Sequence, residues 1–179
     1  MSNFNFRTPF SMRGRRNLGA RGFSGKPSHP PLTDIPTAAY AFVAVFDVLS
    51  LVLHDGHSEL GLELYRAATW VLLGGAAVSV LTALTGFLDW LRTPRGTELR
   101  RTANAHAVTM LVVTALVLIN LALRLTSYDD DQHTATLLVA LSVVAGLLTL
   151  LGAAIGGSLV FDHGMRVEGE STGAGTDRD

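Results

Sequence analysis

Four stretches of the chain, roughly 37–54, 67–91, 103–125 and 135–160, are nearly unbroken runs of apolar residues. The second holds a single charge, Asp89, near its end. The third is broken by His106, Asn120 and Arg124, and the fourth has no charged residue. A helix rises 1.5 Å per residue, so about 20 apolar residues span a hydrocarbon core of about 30 Å. The last three stretches meet that length. The first, TAAYAFVAVFDVLSLVLH, is shorter and carries Asp47. A water-soluble bundle would show a charged stripe along each helix; the second and fourth stretches have none. The pattern predicts four membrane-spanning helices.

Within each stretch, small and polar residues recur at steps of three and four, which places them on one helical face. In the first they are Tyr40, Ala44, Asp47, Ser50 or Leu51, and His54. In the second they are Gly75, Ser79, Thr82, Gly86 and Asp89. The third has His106, Met110, Val113, Val117, Asn120 and Arg124; the fourth has Ser142, Gly146, Thr149, Ala153, Gly156, Val160 and His163. In a bilayer such faces turn toward neighbouring helices. The expected fold is therefore all-α, an integral membrane four-helix bundle spanning 29–163.

Composition agrees. Of 179 residues 48% are hydrophobic and only 16% charged, against about 25% charge in ordinary soluble domains; the mean hydropathy is +0.34. No cysteine is present, which excludes disulfides, thiolate metal sites and thiol nucleophiles. The positive charges sort by side. Six lie in residues 1–28, four between the second and third helices (Arg92, Arg95, Arg100, Arg101), and two after the fourth (Arg166, Arg178). With four spans these regions share one face, and the positive-inside rule makes both termini cytoplasmic. The opposite face has Asp55, Glu59, Glu63 and Asp129 to Asp131. Residues 1–28 and 164–179 read as flexible polar tails without hydrophobic periodicity. The first apolar run lacks an A-x-A-like cleavage site and so is expected to remain as an anchor.

Ionisable residues inside a membrane are costly and mark function or pairing. His106, Asp89, His163 and His29 all fall near the cytoplasmic ends of helices, and Asp162 and Asp34 lie close by. Imidazoles on facing helices are haem or metal ligands, a carboxylate beside them orients a ligand or handles a proton, and the same residues also serve as a plain hydrogen-bonded layer. A second group, Asp47, Asn120 and Arg124, approaches one depth from the other side and reads as an intramembrane polar pair. P-loop, G-x-G-x-x-G, G-x-S-x-G and H-E-x-x-H motifs are absent. The basic tail lacks interleaved aromatics, so no nucleic-acid partner is expected.

The stretches HPPLTDIPTAAYAFVAVFDVL from His29, GFLDWLRTPRGTELRR from Gly86, AHAVTM from Ala105 and GGSLVFDHGMRV from Gly156 resemble, in that order, the bacterial membrane-protein family named domain of unknown function 2231. The resemblance covers about residues 29–168 and implies a four-helix protein of the bacterial inner membrane. His29, Asp89, His106 and His163 are the positions that match its motifs. Because some members are similar in layout to four-helix b-type cytochromes or are joined to redox domains, the resemblance also implies a redox or haem connection. Together these readings point to a small bundle that binds haem b or a metal. His106 and His163 are the expected ligands, His29 a third, and Asp89 the orienting or proton-handling group. The competing reading is a non-enzymatic structural or accessory subunit. Partners expected are the lipid bilayer and a redox protein or a second copy of the chain.

Overall fold

In a computed structural model, residues 27–53, 55, 58–129 and 133–165 of the chain are described. The basic N-terminal tail, His54, His57 and residues 166–179 lie outside them, and with them the expectation of flexible tails. The described residues form four helices: α1 (His29–Leu53), α2 (Ser58–Leu91), α3 (Glu98–Ser127) and α4 (Thr136–Phe161). Each is long and apolar enough to cross a membrane.

The helices run past the apolar stretches, chiefly at their N-terminal ends. α1 begins at His29 instead of 37, and α2 at Ser58 instead of 67. Hydropathy marks only the part suited to hydrocarbon, whereas backbone hydrogen bonding continues through the interface until a cap ends it. At 1.5 Å per residue, the 34 residues of α2 extend roughly 50 Å, well beyond a ~30 Å core. The start of α1 tolerates Pro30 and Pro31 because first-turn residues have no intrahelical acceptor for their N–H. Pro36 lies deeper, inside the helix. It leaves the Leu32 carbonyl without its usual donor, and the Thr82 hydroxyl of α2 stands 3.1 Å from that oxygen.

Contacts between distant residues fix the order of the helices. α1 packs against α2 and α4, and α3 against α4 and, less extensively, α2; α1 and α3 lie across a diagonal. His29 of α1 meets Thr82 near the end of α2, and Asn120 late in α3 bonds to the Leu138 carbonyl early in α4. Neighbouring helices are therefore antiparallel, and Thr102 of α3 bonds to His163 just past α4. His29, Asp89, His106 and His163 consequently share one end of the bundle. Asp47 and Arg124 belong to the other.

The interior combines small apolar side chains with polar ones. Ala39, Val43, Ala68, Leu72, Val113, Val117 and Ala145 form the core, with the Tyr40 ring among them. Gly75 lets α1 and α2 approach closely, since a Cβ there would sit 2.8 Å from the Ala39 Cβ. The outer surface is the apolar one: Phe42, Trp70, Leu111, Leu147 and Phe161 are all exposed. An apolar exterior around a partly polar interior suits lipid and not water. On α4 the inward face differs by one position from the pattern of small residues, because Gly152 is buried while Ala153 is exposed. Both fit a three-or-four step from Thr149; the buried positions Leu138, Ala145, Gly152 and Leu159, two turns apart, carry the inward face through Gly152.

The α2–α3 connection is tightly tied. Thr97 caps α3 by accepting from the Arg100 N–H at 3.1 Å. Arg100 reaches back to the end of α2 and the turn after it, donating to Trp90 O at 2.5 Å and Thr93 O at 3.2 Å. Its guanidinium carbon lies 3.7 Å from the centre of the Trp90 ring.

Candidate functional site

At the end opposite the histidines, a charged network is closed inside the bundle. Arg124 and Asp47, on diagonal helices, are each 0% exposed and form an ion pair. Helical spacing brings the rest together. Asn120, one turn before Arg124, accepts from Arg124 Nε at 2.7 Å and donates through its amide to Leu138 O at 3.1 Å. Thr69 of α2 accepts from Arg124 Nη1 at 3.1 Å. The second Asp47 oxygen accepts from the Thr134 hydroxyl at 3.1 Å. Ser50 completes the set, donating to Gly61 O at 2.7 Å and accepting from the Thr134 N–H at 2.9 Å. The Tyr65 ring lies 5.4 Å from the guanidinium. All four helices and the segment before α4 converge on one pair of charges, and each charge has several partners. That is what a buried ion pair needs to offset its desolvation.

The three residues singled out from the sequence, Asp47, Asn120 and Arg124, are thus brought together. Sequence reasoning missed Tyr65, Thr69 and Thr134. Tyr65 lies outside the apolar stretches and Thr134 in a loop, where polar residues are unremarkable. For Tyr65 and Thr69 the signal was depth, because counted from the start of α2 they reach the level of Arg124.

The histidine end is built differently. His29 Nδ1 lies 2.9 Å from Thr82 O and 3.3 Å from the Thr85 hydroxyl of α2. His106 Nδ1 lies 2.9 Å from Gly152 O of α4. A carbonyl only accepts, so Nδ1 carries the hydrogen in both rings, and in the neutral imidazole the lone pair resides on Nε2. The anchoring helices offer glycines where the rings arrive. A Cβ on Gly86 would fall 2.7 Å from His29 Cε1, and one on Gly156 3.3 Å from His106 Cε1. Their ring centres are 6.4 Å apart, with the planes at 87°.

His163 is anchored in a different layer from this pair. His163 Nε2 is 3.1 Å from the Thr102 hydroxyl, one helical turn toward the end of the bundle from His106. Asp89 is 6% exposed in the last turn of α2, where its carbonyl accepts from the Thr93 hydroxyl at 3.2 Å. Among the described residues, no group of three or more His, Cys, Asp or Glu side chains is placed to hold a metal ion. The structure pairs His29 with His106, and His163 occupies the next layer.

Two imidazoles sharing one metal, each bonded through one nitrogen at ~2.0–2.1 Å, have ring centres roughly 6 Å apart. The His29–His106 spacing falls at that value.

No curated protein and no solved structure matches the chain. A family model does match, over residues 25–169, which takes in all four helices. The chain belongs to the family described as predicted membrane protein, domain of unknown function 2231 (DUF2231).

Proposed function

We infer that this protein is a small integral membrane redox module that holds a b-type haem between His29 and His106. The observation that carries the reading is the pair of imidazoles 6.4 Å apart, each turned by an Nδ1–H bond to a carbonyl of a different neighbouring helix. Donation from Nδ1 fixes ring orientation, as in metal-binding histidines generally. A haem held there would supply one-electron transfer. The chain's own part is to orient the two rings from α2 and α4, to exclude water with the apolar core below them, and to hold Asp89 and His163 at the same end as groups able to take up a proton. The excess of arginines at that end supports its facing the cytoplasm of a bacterial cell, with the protein in the inner membrane.

One observation favours a second reading, a structural or accessory subunit without a cofactor: each of the three described inner histidines already has a protein hydrogen-bond partner. A single experiment separates the two. The protein is purified in mild detergent from haem-replete cells, and spectra are taken oxidised and dithionite-reduced, with haem and metal quantified. The redox reading expects a reducible Soret band lost in His29→Ala and His106→Ala but kept in His163→Ala. A colourless, folded, metal-free wild type overturns it in favour of the accessory subunit. Orientation is tested by impermeant labelling of a cysteine at position 60, expected from outside the cell only.

A further inference from the structure

The four arginines between α2 and α3 do not share one role. Arg100 is committed, capping α2 and covering the Trp90 ring. Arg92, Arg95 and Arg101 are exposed, and no side-chain partner engages them among the described residues. Within 92–101 the one carboxylate is Glu98, so the connection carries a net charge of +3. The segment is rigid at both borders. Thr93 is buried and bonds back to Asp89 O, Trp90 Nε1 donates to Asn104 Oδ1 at 2.8 Å, and Phe87 stacks on Trp90 with ring centres 5.8 Å apart. Trp at the end of a span sits at headgroup level. The free guanidiniums beside it therefore lie at the depth of lipid phosphates.

We propose that the α2–α3 connection is a binding surface for anionic phospholipid headgroups, engaged by Arg92, Arg95 and Arg101. Guanidinium pairs with phosphate oxygens through paired N–H bonds. Clamping by Arg100 means that little loop ordering is lost on binding. The surface is independent of any cofactor at the histidines.

The test uses the full chain reconstituted in phosphatidylcholine vesicles, with spin-labelled phosphatidylglycerol and spin-labelled phosphatidylcholine as probes. Wild type is expected to select the anionic probe, less so as salt screens the charges. The R92Q/R95Q/R101Q variant keeps the basic N-terminal tail, so any loss belongs to the connection. Its selectivity is expected to fall at least about fivefold, the effect of one cation near a charged surface. Arg100→Gln keeps the three free guanidiniums but loosens the connection, so it is expected to lower the melting temperature and to weaken selectivity less than the triple variant does. If the triple variant does not fold, the R92Q and R95Q single variants each give the same reading at smaller size. Unchanged selectivity in the folded variants overturns the proposal. So does displacement of the labelled lipid by equimolar inorganic phosphate, which would make this a small-anion site.

Discussion

The two ends of the bundle solve the problem of polar groups in a membrane in opposite ways. At one end Asp47 and Arg124 are fully enclosed, and five other side chains converge on them or on each other. At the other, His29, His106 and His163 are half-buried, and each is tied to its own partner on a neighbouring helix. A closed network can only hold the helices in register. The imidazoles of His29 and His106 are instead oriented one by one, each by a carbonyl of a neighbouring helix, and that of His163 by the Thr102 hydroxyl. The contrast puts stability at the Asp47 end and, on the proposed haem reading, chemistry at the His106 end.

The comparison is most easily broken at the ion pair. Asp47→Asn leaves the Arg124 charge enclosed without its counter-charge, and loss of one partner of a buried pair costs about 3–5 kcal/mol. Unfolding by SDS titration in mild detergent should show a loss of this size, or no folded protein. An Asp47→Leu/Arg124→Met double variant removes both charges and should recover more than half of the loss. If Asp47→Asn unfolds like wild type, the network is not what holds this end.

A smaller effect is expected where the histidines meet glycine. Gly86→Ala places a methyl 2.7 Å from His29 Cε1. Overpacking of this kind costs about 1–3 kcal/mol, and the ring must turn away from Thr82 O to relieve it. On the haem reading, haem content should fall although His29 itself is retained. Gly152→Ala offers the control. Its methyl meets Met110 Sδ, the end of a flexible thioether that gives way at little cost, so spectrum and stability should both stay near wild type.

The histidines themselves come next in size. His106→Ala loses one hydrogen bond in a half-exposed setting, about 0.5–1.5 kcal/mol, against several for Asp47→Asn. The comparison sharpens if His106→Ala stays folded while its absorption changes. It fails if the His106 variant loses as much stability as the Asp47 variant.

Much of this was legible in the sequence because membrane immersion simplifies the code. Long apolar runs give the spans, and the few polar residues within them have nowhere to turn but inward. Asp47, Asn120 and Arg124 stand out on that ground, and so does His106. Pairing was harder to read. His163 matches the family's motif as well as His29 does, and only the start of α1 at His29, two turns before the apolar run, brings His29 level with His106 and leaves His163 one layer away. Hydropathy is silent on such extensions, since helices end at caps. The partners of the histidines were equally hidden: Thr82 O and Gly152 O are backbone atoms, and any residue type supplies a carbonyl.

The smallest effect concerns how the histidine end stays aligned. Pro36 has no N–H, so Leu32 O lacks its donor four residues on. The Thr82 hydroxyl lies 3.1 Å from that oxygen and 3.1 Å from Val78 O in its own helix, with one proton to serve both. Thr82→Val keeps the branched shape and removes the proton; an interhelical bond in a membrane bundle is worth about 0.6 kcal/mol. Pro36→Ala restores an N–H for Leu32 O, and in that background Thr82→Val should cost close to nothing. The cycle cancels whatever packing Pro36 itself contributes and isolates the coupling. Equal cost in both backgrounds would mean that the hydroxyl serves only Val78 O. Loss of the coupling in Pro36→Ala would show that α2 supplies the donor α1 lacks, about one turn along α1 from where Thr82 O holds the His29 ring.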